Sequence, residues 1–135
     1  MIDFRPIFLI LGFLLTTLAI MMMVPAAGDI CSGNPDWQVG GASGAVTLFV
    51  GVSLSLTSRM GGAKLSIRQA FILTTLSWIV LTIFAALPFA FSQLEMSFTD
   101  AFFEAMSGIT TTGATVIINL DNAPSGLLLL SLIHI

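Results

Sequence analysis

The feature that most constrains the fold is an unbroken apolar run, because residues 7–24 contain no charged side chain. A helix rises about 1.5 Å per residue, so this run spans roughly 27 Å, close to the roughly 30 Å hydrocarbon core of a bilayer. Charged residues make up only 8% of the chain, whereas a soluble domain carries about 25%. A water-soluble globular fold is therefore excluded, and the sequence predicts an integral membrane protein.

Two further apolar stretches follow. Residues 42–57 are rich in small and hydroxylated side chains, which is typical of a helix packed closely on other helices. Residues 70–91 are long enough to span with tilt. We therefore predict three spans, the first ending at Pro25. A secretory signal peptide is the alternative for the first span, but its apolar run is too long and Asp3 lies beside Arg5.

The placement of charge predicts the orientation. If the spans alternate, all basic residues fall on one side, which the positive-inside rule makes cytoplasmic together with the N-terminus. The loops at residues 25–41 and 92–100 hold acidic residues and no lysine or arginine, as expected of the outer face. The four basic residues are Arg5, Arg59, Lys64 and Arg68.

Several classes of function are excluded by composition. Four basic residues and a net charge of -3 argue against a nucleic-acid partner, since phosphate binding needs clustered lysine and arginine. A single cysteine, Cys31, excludes an internal disulfide and a multi-cysteine metal site. His134 has no second ligand for a metal. No nucleophile, base and orienting group are spaced for catalysis, so we do not expect an enzyme.

The stretch after the third span does not fit a fourth crossing. Ser97 followed by Asp100 predicts a helix start, with a short helix over residues 98–106. Residues 108–119 are then dense in β-branched side chains around Gly113, which favours extended backbone with one point of conformational freedom. A short helix followed by an extended segment, entered from the outer face, is the pattern of a re-entrant pore loop.

Such a loop is suited to hold a cation. Irregular backbone at membrane depth is tolerated only where it is buried in protein or lines water. Backbone carbonyls can replace the hydration shell of potassium, and the negative end of the short helix faces the same place. We expect Asp100 to act at the helix start rather than as a cation relay. Glu104 is expected to brace the loop rather than to act on the ion directly.

The run from Phe102 to Thr115, FFEAMSGITTTGAT, resembles the first pore loop of the Trk/Ktr/HKT superfamily of potassium uptake proteins, and within it the TrkH-type subunits. The similarity extends upstream to the first span ending at Pro25, to the basic connector and to the Ala-Leu-Pro-Phe at residues 86–89. It covers residues 1–122.

This resemblance implies an all-α integral membrane fold of four helix–pore loop–helix repeats with pseudo-fourfold symmetry, preceded by two extra helices. On that pattern, residues 1–69 are the two leading helices with their cytoplasmic basic connector. Residues 70–124 are the first helix, pore helix and filter strand of repeat one, which supply one quarter of a selectivity filter. The ion ligands are then Thr111 and Thr112, flanked by Thr110 and Gly113, with Asp100 and Glu104 supporting the pore helix.

The resemblance also implies partners. These are membrane lipid, the remaining repeats of the full-length transporter, a homodimer of full-length chains and a cytoplasmic nucleotide-binding regulatory subunit. Potassium is the transported substrate, and no cofactor and no nucleic acid are expected. The implied location is the bacterial cytoplasmic (inner) membrane, with several passes.

The sequence departs from the family pattern after Pro124, where residues 125–135 read as a truncated or aberrant start of the next helix. We therefore expect an N-terminal fragment, since one filter segment cannot enclose an ion alone. The alternative is a non-conducting membrane interaction protein or inactive fragment whose polar loop only packs on partner helices. A ring of four copies is disfavoured because the helix that lines the cytoplasmic half of such a pore is missing.

Overall fold

The computed structural model describes residues 3–58, 64–118, 120–123 and 125–134, and within them the chain is entirely helical, without a β-strand. The predicted all-α class is therefore confirmed. Arg59, Asn119 and Pro124 lie outside the described residues. The helices are α1 (Arg5–Ser32), α2 (Trp37–Thr57), α3 (Ile67–Ala90), α4 (Phe98–Ile109) and α5 (Ser125–His134), with a short 3₁₀ turn at Leu120–Asn122.

Three helices in the described part of the chain, α1, α2 and α3, are long and apolar enough to cross a membrane. This agrees with the three predicted spans. Many of their large apolar side chains are exposed, among them Phe13, Phe49 and Phe71. Such side chains are costly in water but favourable against lipid.

The prediction that the first span ends at Pro25 is wrong. Helix α1 runs through Pro25 to Ser32 and ends at Gly33, which adopts the left-handed conformation with φ of 72°. Proline removes one helical hydrogen bond and crowds the preceding turn, but Pro25 is buried, and its packing offsets that cost. The loop between α1 and α2 is thus residues 33–36 rather than residues 25–41.

Helices α1 and α2 touch through their backbones. A Cβ placed on Gly12 would lie 2.7 Å from the carbonyl oxygen of Gly51, and one placed on Gly51 would lie 2.8 Å from the backbone nitrogen of Thr16. Real Cβ atoms do not come this close to backbone atoms. Glycine at these two positions is what allows the close crossing that the small residues of the second span predict.

We expect Gly51→Ala to lower the stability of the chain by about 1–3 kcal/mol, because the added methyl group overpacks the crossing. Gly41→Ala on the same helix is the matched control, since nothing lies within 4 Å of its Cβ position. The control should stabilise by up to about 1 kcal/mol through helix propensity. Thermal unfolding in detergent measures both, and equal effects of the two substitutions would contradict the close crossing.

Helix α3 begins at a reciprocal cap in which the Ser66 hydroxyl accepts from the Gln69 backbone and the Gln69 side chain accepts from the Ser66 N–H. The Gln69 amide also donates to the carbonyl oxygen of Asp3 at 2.6 Å. Helices α1 and α3 therefore start at the same end of the bundle. This brings Arg5, Lys64 and Arg68 to one side, as the charge pattern predicts.

The core lies between α1, α3, α4 and α5. Helix α4 packs on α3, and each of the two helices contributes two buried alanines to this core. The segment that follows α4 therefore starts from a helix that is packed into the core. The core residues are Leu15, Leu18, Met22, Ala85, Ala86, Phe89, Ala101, Ala105, Ile117, Leu127 and Leu130.

Candidate ion-binding site

Ser97 is the N-cap residue of helix α4. The Ser97 hydroxyl oxygen accepts a hydrogen bond from the backbone N–H of Asp100 at 3.2 Å and donates to the Asp100 carboxylate at 2.7 Å. Asp100 is exposed, and its negative charge lies in the first turn, where the helix dipole favours it. The structure therefore places Asp100 at the helix start, away from residues 110–113 in sequence and at the opposite end of α4.

The other end of α4 closes in a tight turn. The N–H of Thr111 donates to the carbonyl of Gly108 at 3.0 Å, and the N–H of Thr112 donates to that of Ser107 at 2.9 Å. This pair of bonds is the Schellman motif, which needs a left-handed residue just after the helix. Thr111 takes that position with φ of 56°. Thr110 and Thr111 thus cap the helix. The prediction that these two residues adopt extended backbone is wrong.

The left-handed conformation of Thr111 is strained, because a branched Cβ crowds the backbone there. Gly113 is also left-handed, with φ of 74°. A Cβ on Gly113 would meet no atom within 4 Å. Its backbone conformation, rather than a lack of space, is therefore what requires glycine at this position.

Hydrogen bonds fix the shape of residues 110–116, which we call the threonine segment. The Thr110 hydroxyl donates to the carbonyl of Met106 at 2.7 Å and lies 2.8 Å from the Thr112 hydroxyl. The Ser107 hydroxyl donates to the carbonyl of Ala114 at 2.6 Å. The start of the segment and Ala114 are thus tied to the last turn of α4.

The carbonyl oxygen of Ala114 accepts a hydrogen bond, whereas those of residues 110–113 are unpaired within the described part of the chain. No hydrogen bond from any residue that the structure describes reaches them, and these residues are exposed. They lie at the carboxyl end of α4, where the helix dipole is negative. Unpaired carbonyls at a negative helix end are suited to coordinate a cation without its water shell.

Glu104 anchors the far end of the threonine segment. Its side chain is only 4% exposed, and Oε2 accepts hydrogen bonds from the Thr115 hydroxyl and the Val116 N–H, both at 3.1 Å. The Thr115 hydroxyl also accepts from the N–H of Ile117 at 3.1 Å. One buried carboxylate therefore holds the last two residues of the segment directly, and the next residue, Ile117, through the Thr115 hydroxyl.

Sequence reasoning singled out Glu104, but it missed Ser107 and the burial of two aspartates, Asp29 and Asp36. Asp29 and Asp36 lie in the stretch that the charge pattern predicts as a loop of the outer face, yet both are buried. Burial raises the pKa of the Asp36 carboxyl above its ordinary value, and the nearby Asp29 raises it further. No local signal marks these residues, because their burial depends on the packing of α3 and α5 around them.

The metal-binding residue types do not gather elsewhere. Within the part of the chain that the structure describes, no group of three or more histidine, cysteine, aspartate or glutamate side chains is placed to hold a metal ion. Cys31 is an exposed free thiol. The side chain of His134 lies outside the described residues.

The comparisons with known proteins all indicate the same family. The family model of TrkH, a cation transport protein, matches residues 38–134. The Trk system potassium uptake protein TrkI of Halomonas elongata is 36% identical over 122 residues, which are 90% of this chain and 25% of TrkI. The Trk system potassium uptake protein TrkH of Escherichia coli K12 is 35% identical over 126 residues, 93% of this chain and 26% of that protein.

Comparison with a solved structure indicates the same family. The crystal structure of the potassium transporter TrkH from Vibrio parahaemolyticus superposes with a TM-score of 0.88 at 34% identity, over 96% of this chain and 28% of that one. The chain therefore spans about a quarter of the length of these relatives. The family match continues to residue 134, so the expectation that the resemblance stops near residue 122 is wrong.

Proposed function

Because the chain belongs to the TrkH family of cation transport proteins, we propose that it serves potassium uptake across the bacterial cytoplasmic membrane and supplies one quarter of a carbonyl-lined selectivity filter. Its relatives are potassium uptake proteins and not enzymes. The observation that carries the proposal is the set of carbonyls at residues 110–113 that accept no hydrogen bond from the described residues and are exposed at the negative end of α4.

Within this proposal the residues have separate tasks. Thr111 and Thr112 are the principal potassium ligands, through their carbonyl oxygens, and Thr110 and Gly113 flank them. The Thr110 hydroxyl is already bound to a helix carbonyl, which supports a bracing task for that side chain. Glu104 holds the exit of the threonine segment, and Asp100 stabilises the start of the pore helix.

The same proposal assigns the rest of the chain. Residues 1–69 are the two leading helices, residues 70–124 the first three elements of repeat one, and residues 125–135 the start of the next helix. The other three quarters of the filter come from the remaining repeats. Arg5 and Arg68 lie at the same end of the bundle, and this grouping of positive charge supports a cytoplasmic N-terminus. Lipid, a second full-length chain and a cytoplasmic nucleotide-binding subunit are the proposed partners.

The test uses a chimera in which this chain replaces the matching segment of TrkH from Vibrio parahaemolyticus. We expect the chimera to take up rubidium, a potassium tracer, into cells that lack other uptake systems. Replacing both Thr111 and Thr112 by valine should reduce uptake or the preference for potassium over sodium at least about tenfold, or about 1.4 kcal/mol, because the Thr110–Thr112 hydroxyl contact and the segment geometry are lost.

The matched control replaces Thr74 and Thr75 by valine on α3. Both are exposed and their hydroxyls bond only to carbonyls of their own helix, so uptake should change less than about twofold. Unchanged uptake and unchanged selectivity in the Thr111 and Thr112 variant would instead favour a loop that merely docks on partner helices.

A further inference from the structure

The hydroxyl of Ser107 differs from most serine and threonine hydroxyls in the helices of this chain. Those of Thr16, Thr47 and Ser55 are typical, because each donates to the carbonyl oxygen four residues earlier in its own helix. The Ser107 hydroxyl instead donates forward, beyond the end of α4, to the carbonyl of Ala114 at 2.6 Å. This side chain therefore joins the pore helix to the threonine segment.

Ser107 holds the threonine segment at two points. Its backbone carbonyl accepts the N–H of Thr112 at 2.9 Å, and its hydroxyl holds the carbonyl of Ala114. Between these two tethers lies Gly113, with its left-handed φ of 74°. Ser107 itself is only 6% exposed, so it lies behind the exposed segment and not on its surface.

The bond to Ala114 determines which carbonyls are available to an ion. Those of residues 110–113 accept no hydrogen bond from the described residues, whereas the next one, that of Ala114, is directed to the last turn of α4. Ala114 is exposed, so without the Ser107 hydroxyl its carbonyl would be free to turn away from the helix. The number and arrangement of carbonyls around an ion bear on the choice between potassium and sodium.

We propose that Ser107 is a positioning residue that determines selectivity, because its hydroxyl keeps the Ala114 carbonyl out of the ion-binding set. Its backbone carbonyl fixes Thr112 on the other side of Gly113, so the carbonyls between the two tethers keep one spacing. This role rests on the proposed function of the threonine segment. Ser107 acts through Ala114 and does not itself touch the ion.

Uptake by the chimera tests the role in selectivity. Ser107→Ala removes the hydroxyl but keeps the backbone bond to Thr112. We expect the preference for rubidium over sodium to fall about fivefold, or about 1 kcal/mol, while the maximal rate of rubidium uptake changes less than about twofold. A general loss of stability would instead lower the rate and leave the ion preference unchanged.

Two further variants complete the uptake experiment. Ser107→Thr keeps a hydroxyl at this position and should restore most of the native preference. Ser43→Ala is the matched control, because Ser43 is buried to the same 6% but lies on α2. It should leave the preference unchanged.

Nuclear magnetic resonance of this chain in lipid nanodiscs tests the bond without any uptake. Ala114 and Thr115 form the one alanine–threonine pair in the sequence. Isotope labels on alanine carbonyls and threonine amide nitrogens therefore give a single cross-peak, which reports the Ala114 carbonyl. Loss of a hydrogen bond moves the carbon signal of a carbonyl upfield. We expect Ser107→Ala to move this signal upfield, and Ser107→Thr and Ser43→Ala to leave it near its native position.

The two measurements separate failure of this role from failure of the proposed function. A signal that Ser107→Ala does not move would overturn the role whatever the uptake shows. A moved signal with an unchanged preference for rubidium over sodium would also overturn it, because the bond would then serve the structure alone. A native chimera that takes up no rubidium would overturn the proposed function, and the selectivity role with it, even if the moved signal establishes the bond.

Discussion

Replacing Glu104 by alanine should reduce rubidium uptake through the chimera by about 100-fold, or about 2.8 kcal/mol. The substitution leaves the Val116 N–H and the Thr115 hydroxyl without their acceptor, and a hydrogen bond to a charged group contributes about 1.5–3 kcal/mol. Without this anchor the threonine segment loses its fixed position relative to α4. The proposed filter depends on that position.

Conservative variants make the test sharper. Glu104→Gln keeps one side-chain oxygen but loses the charge, so uptake should fall only about tenfold, or about 1.4 kcal/mol. Glu95→Gln is the matched control, because Glu95 is exposed, and uptake should change less than about twofold. Normal uptake by a Glu104→Ala chimera that reaches the membrane in normal amounts would show that the carboxylate does not position the segment.

The role of Glu104 illustrates what sequence can predict here. Its place in a short capped helix follows from local signals, namely Ser97 at the helix start and the apolar pattern behind it. Its partners are 11 and 12 residues away along the chain, across a turn whose shape local preferences do not specify. The sequence therefore indicates a bracing residue but not the atoms that it holds.

The errors have a common physical origin. Pro25 predicts a helix end from local chemistry, but burial of α1 against its neighbours outweighs the local cost. Thr111 predicts extended backbone because it is β-branched, but the Schellman turn at the end of α4 imposes a left-handed conformation on it. Tertiary packing overrides the intrinsic preference of the residue in the first case, and the hydrogen bonds of a local turn override it in the second.

Gly113→Ala is the second substitution with a large expected effect. The left-handed φ of 74° costs a residue with a Cβ about 1–2 kcal/mol, so the backbone is expected to relax towards negative φ. Such a rotation turns the carbonyl of Gly113 and the peptide bonds beside it. We expect the preference for rubidium over sodium in the chimera to fall about tenfold, or about 1.4 kcal/mol.

The stability of the chain separates this effect from unfolding. No atom lies within 4 Å of the added Cβ, so the Tm of the Gly113→Ala variant should fall by no more than the strain of one residue accounts for. Gly28→Ala is the matched control, since its Cβ position is equally open but lies within helix α1, where alanine is favoured. Selectivity that survives Gly113→Ala would mean that the carbonyl of this residue does not face the ion.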